Sequence, residues 1–137
     1  MKHPIPKIAL AAAAALLLGA AGTEWLTAQQ PPAVKRNVLL KQDMTISGRE
    51  AVMASVELPP GSREGRHTHP AEVYAFVLEG TPTMEVEGQP AKSLKAGDVF
   101  TLAPGQIHEG VNSGSTTAKL SVVFIAEKGK PLSTPVP

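Results

Sequence analysis

Gly61-Ser62-Arg63-Glu64-Gly65-Arg66-His67-Thr68-His69-Pro70-Ala71-Glu72-Val73-Tyr74-Ala75-Phe76-Val77-Leu78-Glu79-Gly80 is the stretch on which the reading of this chain turns. Its first part is a polar, glycine-containing loop that ends in two histidines. Its second part, Glu72 to Glu79, is rich in Val, Tyr and Phe, residues that fit a pleated, half-buried surface. Gly80 and Pro82 close it. Side chains at i and i+2 of an extended chain point to one side. His67 and His69 therefore face the same point if the segment is extended.

Moving outward, the same grammar repeats. Val52, Ala54, Val56 and Leu58 alternate with Met53, Ser55 and Glu57, and Pro59-Pro60-Gly61 ends the run. Met84 and Val86 alternate with Glu85 and Glu87 before Gly88-Gln89-Pro90. Val99 to Leu102 stops at Pro104-Gly105, Leu120 to Ala126 is the last strong strand, and Val38 to Leu40 is a weaker first one. Short period-2 runs between Gly/Pro turns, with no stretch of helical period, indicate an all-β sandwich or barrel. Gly61, Gly80, Gly97 and Gly105 read as turn residues, and so does Asp98. Asn112 reads as the brace of a turn.

The ends differ from this middle. Lys2, His3 and Lys7 precede a run from Ile8 to Ala21 that is almost purely Ala and Leu. That is the pattern of a secretory signal over residues 1–28, with cleavage after Ala28 or after Gly22. The run is shorter than the ~20 residues a membrane span needs, which favours a signal over an uncleaved anchor. Residues 29–36, with Pro31 and Pro32, read as a linker, 37–127 as the single domain, and 128–137 as a poorly ordered tail. Removal of the signal leaves roughly 110 residues, enough for one core. Localisation is then periplasmic or secreted, with no membrane attachment after cleavage. The 137 residues include no cysteine, which excludes disulfides and thiolate metal sites. A net charge of +1 with both signs scattered offers no track for nucleic acid.

His108 follows the Pro104-Gly105 turn and lies in a later strand that can cross over to the first pair. Neutral imidazole is the commonest protein ligand of transition ions. Three such rings leave coordination positions open, as in a catalytic or sensing site. The expected cofactor is one divalent transition metal: Fe, Mn, Ni, Cu or Zn.

At these residues the chain resembles the cupin superfamily, in particular its small single-domain bacterial members. Gly61, five residues, then His67-Thr68-His69 matches the opening of the first cupin motif. The family's Glu is found here as Glu72, one place early, while Gly80 keeps the frame. Gly97, Gly105, His108 and Asn112 fall at the intervals of the second motif, with Ala103 where the family has proline and Pro104 beside it. The resemblance covers about residues 50 to 126. It implies a cupin-type β-barrel (a double-stranded β-helix, or jelly roll).

It also implies His67, His69 and His108 as metal ligands, with Glu72 as a fourth ligand or general base. A one-residue shift along a strand turns a side chain to the opposite face. Glu72 thus points away from the metal if the strand is regular, and reaches it if Pro70 kinks the backbone. Glu109 should face away from His108, and Glu64 lies in the loop before the motif. Val73, Ala75, Val77 and Val99 are the expected apolar substrate pocket. Tyr74, Phe76 and Leu78 take the opposite face, as a second core layer or a homodimer contact. The resemblance further implies a small-molecule ligand and either an enzyme (dioxygenase, isomerase or decarboxylase) or a non-catalytic binding or sensing module.

Overall fold

Alternation along the chain becomes a ladder of ten strands: β1 (Lys35–Asp43), β2 (Arg49–Leu58), β3 (His67–Thr68), β4 (Ala71–Glu79), β5 (Thr83–Val86), β6 (Lys92–Ser93), β7 (Val99–Leu102), β8 (His108–Val111), β9 (Ala118–Glu127) and β10 (Thr134–Pro135). These come from a computed structural model that describes residues 30–137. The signal segment expected over 1–28 lies outside the described residues. All pairings are antiparallel. One sheet has the order β1-β2-β9-β4-β7 and the other β10-β3-β8-β5-β6. Two five-stranded antiparallel sheets face to face form the jelly-roll barrel.

The core lies between the sheets and is dominated by the inner face of the first. Across it, Val52, Phe124 and Val73 sit in one row, Ala54, Val122 and Ala75 in the next, and Val56, Leu120 and Val77 in a third. All nine are buried. Burying a Val, Leu or Phe side chain contributes about 1.5–3 kcal/mol each. The middle row carries two alanines, so the wall recedes there and leaves space inside the barrel. Gly80 shows how tightly the strands meet: its φ is +80°, and a Cβ there would lie 2.7 Å from the Ala118 Cα on β9.

Two boundaries differ from the sequence reading. β1 begins at Lys35, so the last two residues of the expected linker are strand. The expected loose tail is ordered. Thr134 and Pro135 pair with Thr68 and His67, the Val136 N–H donates to the Arg66 carbonyl, and Leu132 packs on the core. Proline and glycine disfavour long regular structure but do not prevent a two-residue bridge held by tertiary contacts.

Candidate metal centre

His67 and His108 are directly opposed in the β3–β8 ladder, and His69 follows His67 by two residues at the end of β3. Ladder and parity together bring three rings into one cluster. Ring centroids are 4.8 Å apart for His67–His69, 4.3 Å for His67–His108 and 5.0 Å for His69–His108. All three residues are buried, and one ring nitrogen from each lies within 4.8 Å of the others.

Each ring is oriented by a backbone carbonyl. His67 Nδ1 is 2.7 Å from the Gly65 oxygen, His69 Nδ1 2.7 Å from the Leu132 oxygen, and His108 Nδ1 3.0 Å from the Gln106 oxygen. A carbonyl only accepts, so each Nδ1 carries the proton and donates. Each Nε2 is left with a bare lone pair. This arrangement fixes the tautomer of metal-binding histidines. Burial pushes His69 down to about 4, with smaller contributions from the neighbouring His67, His108 and Arg36, against the Leu132 carbonyl, which favours the charged form. Burial also lowers His108, against the Gln106 carbonyl. These rings stay neutral and ligand-ready at pH 7. The donor set fits a transition metal ion: three imidazole nitrogens converge within 4.8 Å of one another, and a small contraction of the triad would give each a bond near 2.1 Å.

Glu72 is not part of this cluster, which corrects the expectation that it serves as ligand or base. It is exposed, sits opposite Ile125 on the outer face, and accepts a hydrogen bond from the Tyr74 hydroxyl at 2.7 Å. Pro70 does not re-aim it. The Pro70 carbonyl accepts the Glu127 N–H at 3.1 Å, and the β4–β9 register runs unbroken from Ala71 to Val77, so parity decides at Glu72. Glu109 also points away from the rings. Arg63 donates to it twice, at 3.0 and 2.7 Å, and the Gly65 N–H once at 3.1 Å, and the Arg63 hydrogen bonds hold its carboxyl below the usual range. That clamp fastens the loop that delivers His67. Asn112 is fully buried. It donates to the Leu58 and Thr116 carbonyls and accepts from the Gly114 N–H, bracing the turn between β8 and β9.

The rings open on a cavity of about 200 Å³. Of the four expected pocket residues only Val73 lines it. Ala75 and Val77 point inward but are covered by core. Val99 is 62% exposed and pairs with Phe76 on the outer face, because its place in β7 has the outward parity. Arg36, Gly110 and Leu132 line the cavity without having been singled out by sequence, and Glu64, placed there only in a loop, lines it too. Arg36 on β1 donates to Glu64 at 3.0 Å, and Glu64 also accepts from the Gly110 N–H at 3.0 Å. The carboxylate rests directly on Gly110, where a Cβ would come within 2.5 Å of it. Leu132 both lines the cavity and orients His69. A glycine facing a carboxylate across 46 residues leaves no signal in a single sequence.

Fold and site together define a β-barrel with a buried imidazole triad at one side of an internal cavity. The cupin domain family matches residues 54–124, about half of the chain, and the chain belongs to that family. It is 33% identical over 91 residues to the "Oxalate-binding protein" of Thermotoga maritima, covering 65% of this chain and 72% of that protein. It is 34% identical over 89 residues to "Germin-like protein subfamily 2 member 1" of Arabidopsis thaliana, covering 59% of this chain and 41% of the plant protein. The chain thus spans about two fifths of the length of that relative. An oxalate oxidase structure superposes with a TM-score of 0.57 at 27% identity, over 64% of this chain and 46% of that one.

Proposed function

We propose that this chain is an exported cupin that holds one divalent transition ion through His67, His69 and His108, and that it binds or turns over a small chelating substrate at the open coordination positions. The observation that carries this reading is the set of three buried rings whose Nδ1 atoms are all committed to carbonyls, beside an internal cavity. A bound ion of this kind supplies a Lewis acid and, if it is Fe, Mn, Ni or Cu, a partner for dioxygen. The chain's own residues orient the ligands, and the barrel walls exclude water. The names of the relatives, oxalate binding and oxalate oxidase, support a chelating oxyanion as the ligand class and an oxidoreductase as the activity; a dioxygenase is the form of it that we propose. A non-catalytic binding or sensing module is the second reading. It is favoured by Glu64, the carboxylate that lines the cavity among the described residues: it is already engaged by Arg36 and the Gly110 N–H and is not free to serve as a base.

The metal decides first. Purified protein should contain about one equivalent of a transition ion, and His67→Ala or His108→Ala should lose it, with affinity down more than about 100-fold. Full occupancy in either variant would remove the ligand assignment. Oxygen uptake with catechols, 1,3-diketones and 2-oxo acids then separates turnover from binding. Homodimerisation through the outer face of the first sheet belongs to the same proposal. Leu40, Met53 and Tyr74 lie in one row there, with Phe76 and Val99 beside them, all substantially exposed. Sedimentation velocity tests it, and a monomer at tens of micromolar would remove that part. Export is tested by the cellular fraction in which the chain accumulates.

A further inference from the structure

The walls of the cavity, set against its floor, specify the ligand more narrowly than the ion does. Apart from the three histidines, the lining is overwhelmingly apolar. Ala54, Val56, Met84, Phe100 and Leu120 face the space, and the short side chain of Ala54 leaves a recess in the wall. The two charged lining residues, Arg36 and Glu64, are paired with each other at 3.0 Å and offer no net charge. The floor is different: three neutral imidazoles around a divalent ion would leave a centre of +2, which calls for an anionic chelating head.

We infer that the occupant is a monoanion with two chelating oxygens and a compact apolar body, a 2-oxo acid or enolate with a branched or cyclic hydrocarbon tail, and that oxalate is a poor ligand. This rests on the metal-centre reading above and sharpens it. An engineered apolar cavity of ~150 Å³ takes up benzene, so a cavity of about 200 Å³ accepts a ring or a branched chain beside the chelating head. Oxalate would coordinate through two oxygens and press the other two against hydrocarbon. Leaving charged oxygens buried without donors is strongly unfavourable. The guanidinium among the lining residues, Arg36, has its charge already offset by Glu64 at 3.0 Å, so it attracts a second carboxylate only weakly. A hydrocarbon tail instead gains contact with the walls at no polar cost.

The test is a calorimetric titration of the Zn²⁺-loaded chain, which has no redox chemistry to confuse binding, with pyruvate, 4-methyl-2-oxopentanoate and oxalate. The two oxo acids share a head and differ by three carbons of tail. We expect 4-methyl-2-oxopentanoate to bind at least about tenfold tighter than pyruvate, as burial of that tail requires, and tighter than oxalate. Ala54→Leu, which fills the recess, should bring the branched acid down to the pyruvate level while leaving Zn²⁺ retention unchanged. If Ala54→Leu does not fold, the wild-type series alone decides. Equal affinities for the two oxo acids, or tighter binding of oxalate, would overturn this inference and leave the metal centre standing. Failure of the wild-type chain to retain Zn²⁺ would overturn both.

Discussion

In the first sheet β1, β2, β4 and β9 run for nine or ten residues. In the second, no strand is longer than four residues. Long ladders hold their own register, because a slip by one residue would turn an entire apolar face outward. Two-residue strands cannot do this. The second sheet carries His67 and His108, with His69 one residue past β3, and its geometry is held from outside the ladder: by carbonyls at Gly65, Gln106 and Leu132, by the Arg63–Glu109 clamp, and by the bridge from β10. The first sheet is stabilised by area, the second by individual hydrogen bonds. Stability and ligand placement are therefore separable by mutation.

Leu58→Ala should show the largest separation. Leu58 is 2% exposed at the end of β2, and its truncation should cost about 3 kcal/mol in a denaturant titration. Metal stoichiometry in buffer should not change. Loss of metal at native conditions would mean that the two sheets are not independent. Next in size is removal of residues 131–137. Without the Leu132 carbonyl, His69 loses the acceptor that sets its tautomer, and metal affinity should fall about tenfold in competition with a chromophoric chelator. A chain ending after Ser133 keeps that carbonyl and should retain more of the affinity. If both truncations bound metal like the full chain, Leu132 would have no part in the site. Glu72→Gln should show the smallest effect. It faces solvent on the first sheet, so metal affinity should stay within about twofold. A loss of tenfold or more would bring Glu72 back to the metal and contradict the observed parity.

The contrast also explains what a single sequence discloses. β2, β4, β7 and β9 were legible because period-2 alternation is a local signal and Gly/Pro turns bound it. His67, His69 and His108 were legible as a group because His-Thr-His carries its own parity and the third follows a marked turn. Glu72 was ambiguous for a physical reason: its side depends on whether a bulge occurs at Pro70, and that is settled by β9, more than fifty residues away. Arg36 fell in the expected linker and Glu64 in a loop, and their pairing was not legible, since an ion pair spanning 28 residues has no local mark. The final segment read as loose because its order resides in contacts with β3, the core and an imidazole, not in its own composition.

The acceptors of the three Nδ1 protons have a kinetic meaning. Gly65 and Gln106 each lie two residues before the ring they hold, so those contacts form with almost no loop to close. Leu132 lies 63 residues beyond His69 and meets it only after a long-range closure, the slower kind of event in chain collapse. Two of the rings are thus oriented early, each against its own neighbouring backbone, while the site itself forms only when β3 pairs with β8 and the third ring is set later still. Tight capture waits for the chain to finish arranging itself, and an ion that arrives too soon meets a grip it can still leave.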